Sequence, residues 1–234
     1  INKLKKSKVE SNNVIGINIG RNKNSSDHLA DYLNLYKIVT KYSDYITINI
    51  SSPNTPGLRD MQGKKQIDKL ITQISKLKNK KNTFIKISPD ISDSNLENIC
   101  KISMNEEFIS GLILTNTTIE RDMLFKKPVN DSWKINESGG LSGHPLKNLS
   151  NKLIEKVYQI CQGKLMIIGV GGIYDGRDAF EKISLGANLI QLYTSLVYRG
   201  PNVVNNILEE LSIKLKEKNI KSVKDLVGQN ISYD

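Results

Sequence analysis

Residues 46–57 read ITINISSPNTPG, a short alternating strand followed by a dense run of polar residues between two prolines. Successive side chains of a strand point to opposite faces, so the isoleucines share one face while Thr47, Asn49 and Ser51 share the other. The prolines and Gly57 restrict the loop backbone, which holds its polar side chains in fixed directions. A rigid polar loop at the end of a buried strand is typical of α/β active sites.

Six segments of the chain have strand character, and helical patterns separate them. The predicted strands are residues 14–20, 45–51, 83–88, 111–117, 165–172 and 187–195. The predicted helices lie near residues 28–42, 64–79, 93–105, 148–162, 175–186 and 202–219. This alternation requires a parallel sheet. A doubly wound sheet is apolar on both faces, so the polar face of the strands favours a TIM-type (β/α) barrel.

The predicted strands also end in polar residues or glycines, which is where barrels carry their active sites. An eight-stranded barrel needs two more β/α units than the six found here. We therefore expect residues 1–234 to form a single (β/α)8-type barrel domain, of which this chain supplies about six units and lacks the two N-terminal strands.

Composition excludes several classes of function. The net charge of +10 suggests nucleic-acid binding, but the lysines are spread over helical stretches among glutamates and asparagines, without interleaved aromatic residues. We interpret them as solvated helix faces and predict no nucleic-acid partner. The two cysteines, Cys100 and Cys161, are widely separated in sequence, which predicts buried free thiols. With only two histidines besides, the sequence predicts no metal site. No apolar run is long enough to span a bilayer.

Lys86 and three glycine-rich or hydroxyl-rich segments predict an anion site. Alternation points Lys86 into the barrel, where it either pairs with Asp90, extends to solvent, or meets a bound anion or electron-rich ring. Residues 169–173 (GVGGI) precede a helix that begins at Asp175, so backbone N–H groups can approach an anion closely. Residues 192–195 (LYTS) and 139–143 (GGLSG) supply further walls. A flavin mononucleotide fits this arrangement, with its ring over Lys86 and Asn18.

Seven segments in order along the chain carry a resemblance to a known family. They are GINIGRNK (16–23), NISSPNTPGLR (49–59), IKISPD (85–90), LTNTT (114–118), GGLSG (139–143), IIGVGG (167–172) and QLYT (191–194). The chain resembles dihydroorotate dehydrogenase, specifically the class 2, quinone-reducing branch. The resemblance implies an FMN-dependent oxidation of dihydroorotate to orotate in pyrimidine (UMP) biosynthesis, with a quinone as the electron acceptor.

The resemblance also implies roles for individual residues. Ser52 would be the catalytic base, at a position where class 1 members carry cysteine. The substrate-binding residues would be Asn49, Asn54, Asn116 and Thr117. The residues that hold FMN would be Asn18, Asn49, Lys86, Thr115, Ser142, Gly143, Gly171, Gly172, Tyr193 and Thr194. Membrane contact would come from a segment absent from this sequence, at the mitochondrial inner membrane in a eukaryote or the cytoplasmic membrane in a bacterium.

Two alternatives stay open at this point. Another FMN barrel oxidoreductase, such as a class 1 dihydroorotate dehydrogenase or a dihydropyrimidine dehydrogenase, would favour cysteine in place of Ser52. An inactive barrel fragment that serves as a binding module would explain the missing units. Loss of function would, however, be expected to alter Ser52, Lys86 and the asparagines first.

Overall fold

The computed structural model describes residues 14–25, 27–121 and 137–231. Six parallel strands form one sheet, and each strand pairs with its neighbour in sequence. The strands are β1 (Gly16–Ile19), β2 (Tyr45–Asn49), β3 (Asn82–Ile87), β4 (Ile109–Leu114), β5 (Met166–Val170) and β6 (Leu189–Gln191). A doubly wound sheet reverses its strand order at a switch point, whereas this order runs from β1 to β6 without reversal. The prediction of a partial TIM-type barrel is confirmed.

Among the described residues, one helix connects each strand to the next, and three helices follow the last strand. The helices are α1 (His28–Val39), α2 (Lys64–Ser75), α3 (Asp93–Asn105), α4 (Lys147–Cys161), α5 (Gly176–Ser184), α6 (Thr194–Arg199), α7 (Val203–Glu217) and α8 (Val223–Leu226). Short 3₁₀ turns precede α2 and α4, at Arg59–Gln62 and His144–Leu146. Asp175 caps α5 by accepting hydrogen bonds from the backbone N–H groups of Arg177 and Asp178, so this predicted helix start is confirmed.

The two faces of the sheet differ as the alternation predicts. Ile46, Ile48 and Ile50 of the β2 region are fully buried against the helix layer, in the same cluster as Tyr32 of α1. The opposite face carries a smaller apolar cluster around Phe84, together with a polar row above it. In that row Asn49 of β2 stands in register with Lys86 of β3. Polar inward positions are therefore collected at the carboxyl ends of the strands.

Two details differ from the expectations. The prediction of a last strand running to residue 195 is wrong, because β6 ends at Gln191 and Thr194 begins helix α6. Cys100 and Cys161 are buried free thiols, as predicted, but α3 and α4 bring these two widely separated residues close together.

Within residues 14–25, 27–121 and 137–231, no helix has both the length and the apolarity that a membrane crossing requires. The same ranges contain no group of three or more His, Cys, Asp or Glu residues that could hold a metal ion.

Candidate active site

A hydrogen-bonded cluster joins the ends of β2 and β4. The Ser51 hydroxyl donates to Asn49 Oδ1 at 2.8 Å, and the Asn116 amide donates to Ser51 Oγ at 3.0 Å. The backbone N–H of Thr117 donates to Asn116 Oδ1 at 2.8 Å. Because each side chain holds the next, the two strand ends present a fixed set of amide and hydroxyl groups.

Ser52 follows this cluster directly on the loop that the sequence singled out. Its Oγ accepts a hydrogen bond from the backbone N–H of Asn54 at 3.3 Å, and the side chain is half-buried. A methyl group at Gly140 would overlap Thr117 Oγ1 at 1.8 Å and contact Pro53 at 3.0 Å. Only glycine therefore lets the 139–143 loop approach both strand-end loops this closely.

Arg59 fastens these loops to one another, a role that sequence reasoning missed. Its guanidinium donates to the carbonyl of Ser51 at 3.1 Å, to Asp90 Oδ2 at 2.6 Å and to the carbonyl of Thr117 at 2.9 Å. Asp90 also accepts from the hydroxyl of Thr118. A planar fork of donors suits this three-way contact. The residues after β2, β3 and β4 are thus locked together beside Ser52.

A cavity of about 870 Å³ opens at the carboxyl ends of the strands. Lys86 reaches it from β3, and no described residue forms a hydrogen bond or an ion pair with its ammonium. The Asp90 partner considered for Lys86 is taken by Arg59. Burial lowers the pKa of the Lys86 ammonium below its ordinary value. A half-buried cation without a partner among the described residues can stabilise an anion or an electron-rich ring.

Glycines and hydroxyls form the far wall of the cavity. Gly171 and Gly172 have φ angles of 111° and 71°, and a Cβ at Gly172 would lie 2.4 Å from Lys147 Cα. Thr194 Oγ1 donates to Ser142 Oγ at 3.1 Å, which joins the start of α6 to the 139–143 loop. This wall leaves backbone groups of the glycine turn open to a ligand.

Two buried hydroxyls in the cavity wall have no partner among the described residues. They are Thr115 Oγ1 at the end of β4 and Ser195 Oγ in the first turn of α6. Buried polar atoms are nearly always hydrogen-bonded, so these two indicate a polar ligand. Together with Lys86 and the glycine turn, they fit a flavin with a phosphate group.

The structure brings most of the predicted residues together. Those that line the cavity are Lys86, Thr115, Asn116, Thr117, Ser142, Gly143, Gly171, Gly172, Tyr193 and Thr194. Asn49 is joined to this set through Asn116. Asn18, Ser52 and Asn54 do not line it: Asn18 is exposed on the inward position of β1 beside Thr47, and Asn54 is exposed on the Ser52 loop.

Comparison with known proteins agrees with this geometry. The family model described as dihydroorotate dehydrogenase matches residues 1–215. The chain belongs to this family. Membership implies a flavin cofactor, which fits the cation, the hydroxyls and the glycine turn of the cavity.

Named relatives of the dihydroorotate dehydrogenase family cover almost all of the chain. The mouse protein named mitochondrial dihydroorotate dehydrogenase (quinone) is 41% identical over 92% of this chain and 54% of its own length. The dihydroorotate dehydrogenase (quinone) of the bacterium Trichodesmium erythraeum is 42% identical over 91% of this chain and 57% of its own length. The chain thus spans about half the length of the curated relatives that it matches.

A solved structure confirms the family fold. The ligand-free dihydroorotate dehydrogenase of Eimeria tenella superimposes with a TM-score of 0.89 at 33% identity, and covers 99% of this chain and 70% of its own.

Proposed function

We propose that this chain carries the site of a quinone-dependent dihydroorotate dehydrogenase, which oxidises (S)-dihydroorotate to orotate in de novo pyrimidine biosynthesis. The proposal rests on the hydrogen-bonded cluster of Asn49, Ser51 and Asn116. This cluster lies between the Ser52 loop and the cavity, which Lys86 enters without an ion-pair partner among the described residues. Relatives whose names specify quinone support the same acceptor here.

Ser52 is the proposed catalytic base. Its Oγ would take the proton from C5 of dihydroorotate as the C5–C6 double bond of orotate forms, and a bound flavin would supply the acceptor for the hydride of C6. The backbone N–H of Asn54, which donates to Ser52 Oγ at 3.3 Å, favours the electron-rich oxygen that such a step needs. General-base catalysis by a positioned side chain contributes about 10²–10⁴-fold to the rate.

The amide groups around Ser52 are the proposed substrate-binding residues. Dihydroorotate carries a carboxylate and ring amides, which require both donors and acceptors. Asn49, Asn54, Asn116 and Thr117 supply both, and hydrogen bonds already orient Asn49 and Asn116. Pre-oriented amides lose little conformational entropy when the substrate binds.

FMN is the proposed flavin, because the cavity offers separate places for a ring and a phosphate. It supplies two-electron redox chemistry. Lys86, Thr115 and Asn18 would hold the ring, and Lys86 would stabilise negative charge on the reduced form. The phosphate would lie against the glycine turn and the start of α6, held by Ser142, Gly143, Gly171, Gly172, Tyr193 and Thr194.

Several partner and location assignments belong to this proposal. We propose a single FMN-binding barrel domain for the chain, with dihydroorotate, orotate and a quinone as its small-molecule partners and no nucleic acid. Contact with a membrane also belongs to the proposal. The enzyme would lie at the mitochondrial inner membrane in a eukaryote and at the cytoplasmic membrane in a bacterium.

Anaerobic flavin reduction tests the proposal. The purified chain is loaded with FMN, dihydroorotate is added without oxygen, and the loss of the yellow flavin absorbance is followed. We expect Ser52→Ala to keep the flavin and to bleach at least about 100-fold more slowly than the wild type. Addition of a quinone to the bleached wild-type protein should restore the absorbance.

Ser94→Ala is the matched control, because Ser94 is an exposed hydroxyl at the start of α3 that does not line the cavity. It should bleach like the wild type. Unchanged bleaching by Ser52→Ala would show that Ser52 is not the base. A wild-type chain that binds no FMN, or binds it and never bleaches, would overturn the proposed activity for this chain.

A further inference from the structure

Lys182 of α5 is a buried lysine on the helix side of the sheet, and the proposed chemistry does not use it. Its side chain is 1% exposed. The ammonium donates to Ser150 Oγ at 2.9 Å and to Asn151 Oδ1 at 2.7 Å, both on α4. No described carboxylate forms an ion pair with it. A cation buried against neutral acceptors is costly, so its position calls for a reason.

Ser150 connects Lys182 to the glycine turn of the cavity. While it accepts from Lys182, the Ser150 hydroxyl donates to the carbonyl of Val170 at 2.7 Å. The same carbonyl accepts from the backbone N–H of Thr115 at 3.0 Å. Val170 is the residue before Gly171, so the chain of hydrogen bonds ends directly behind the wall assigned to the phosphate.

The sheet itself makes room for the lysine. A Cβ at Gly169 would lie 2.7 Å from Cδ and 2.9 Å from Cγ of Lys182. These distances are too short for any side chain, so the glycine in β5 is what allows the lysine stem to cross the strand. The buried position of Lys182 therefore depends on glycine at position 169.

The surroundings leave the charge of Lys182 finely balanced. Burial lowers the pKa of Lys182 to about 7, against the favourable charges of Glu181 and Asp178. Lys147 of α4 opposes the charge. The titratable side chains on the other helices packed against α5 are Glu209, Glu210, Lys214, Lys216 and Glu217 of α7 and Lys224 and Asp225 of α8; β5 and β6 contribute none. An anion close by would favour the protonated form.

We infer that Lys182 is a positioning residue for the phosphate of the flavin: through Ser150 it fixes the Val170 carbonyl and the Gly171–Gly172 turn, and its positive charge lies behind that turn. The inference rests on the proposed function, because it assigns the phosphate of a flavin to this wall. It predicts that Lys182 acts on the phosphate and not on the flavin ring.

Riboflavin, which has the ring of FMN and no phosphate, separates these two effects. The dissociation constants of FMN and riboflavin are measured by fluorescence titration for the wild type and for Lys182→Met. We expect Lys182→Met to raise the dissociation constant of FMN about tenfold and to change that of riboflavin by less than about twofold. A tenfold change corresponds to the loss of one partly screened charge interaction. Lys156→Met, a lysine on the outer side of α4, should change neither.

Two further measurements keep the test decisive if Lys182→Met folds poorly. Ser150→Ala keeps the lysine and removes its link to Val170, and should weaken FMN in the same direction. In the wild type, the preference for FMN over riboflavin should fall between about pH 6.5 and about pH 9, because Lys182 loses its proton in that range while the phosphate stays ionised.

The outcomes are distinguishable. An equal loss of both flavins in Lys182→Met would show a merely structural lysine and overturn the inference. So would an unchanged FMN affinity, or a wild-type preference that does not depend on pH. A wild type that binds neither flavin would instead remove the proposed flavin site, and the inference with it.

Discussion

The half-buried Lys86 and the buried Lys182 lie on opposite faces of the same sheet, and they differ in the groups that satisfy their ammoniums. Lys86 points from β3 into the cavity and has no partner among the described residues. Lys182 lies on the helix side and donates to Ser150 and Asn151. Burial lowers the pKa of both. A cation whose hydrogen bonds are taken by the protein acts on a ligand through the residues that it holds, whereas one left open to a cavity can contact the ligand directly.

Arg59 is similar to Lys182, because its N–H groups donate hydrogen bonds to other residues of the protein. Its guanidinium contacts Ser51, Asp90 and Thr117, three residues on three loops. We expect Arg59→Met to lower the free energy of unfolding by about 2–3 kcal/mol, since it leaves a mostly buried carboxylate without its charged donor. Urea unfolding followed by circular dichroism measures the change.

Lys156→Met is the matched control for Arg59→Met. Lys156 forms an ion pair with Asp93 at 2.6 Å, but both side chains are largely exposed. Exposed pairs contribute little, so its effect should be much smaller than that of Arg59→Met. If the two variants lost equal stability, the three-loop contact of Arg59 would not stabilise the fold as argued.

Lys86→Met should reduce activity without reducing stability, unlike Arg59→Met. Because Lys86 has no partner among the described residues, its removal should leave the thermal unfolding midpoint unchanged or raised. The rate of flavin bleaching by dihydroorotate should fall at least about tenfold, since negative charge on the reduced ring loses its stabilising cation. Circular dichroism and the anaerobic assay measure the two quantities, with the exposed Lys101→Met as control. A loss of stability with normal bleaching would make Lys86 structural and remove the contrast with Lys182.

The sequence predicted the residues whose placement depends on strand period. Asn49 and Lys86 alternate with isoleucines, so their inward direction and their shared edge of the sheet could be read without a structure. Arg59 and Lys182 could not be found this way, because each acts on residues of other elements. Lys182 has ordinary helical surroundings in sequence, and its burial depends on how α5 packs over Gly169.

The end of β6 shows where local preference misled the prediction. Residues 192–195 contain tyrosine and threonine, which favour strands. The chain instead leaves the sheet after Gln191, and Tyr193 precedes the first turn of α6. The hydroxyls of Thr194 and Ser195 still reach the cavity. These hydroxyls therefore lie at the cavity, although a helix and not the predicted strand carries them.

The smallest expected effect is the part of the pH dependence of the free energy of unfolding that comes from Lys182 alone. Its pKa is lowered from 10.5 to about 7 in the folded protein. Below about pH 7 both states hold the proton, and the contribution is constant. Between about pH 7 and pH 10 the unfolded state still holds a proton that the folded state has lost, so stability rises with pH.

The free energy of unfolding of the wild type should therefore rise relative to that of Lys182→Met, by on the order of 1 kcal/mol between about pH 7 and about pH 8. Urea titrations of both proteins at the two pH values measure the difference, and subtraction of the variant removes the contributions of other groups. Parallel curves would mean that Lys182 keeps its proton in the folded state. The ammonium would then be fully stabilised by Ser150, Asn151 and the carboxylates of α5, and the wild type would lose its reason to bind FMN less tightly at high pH.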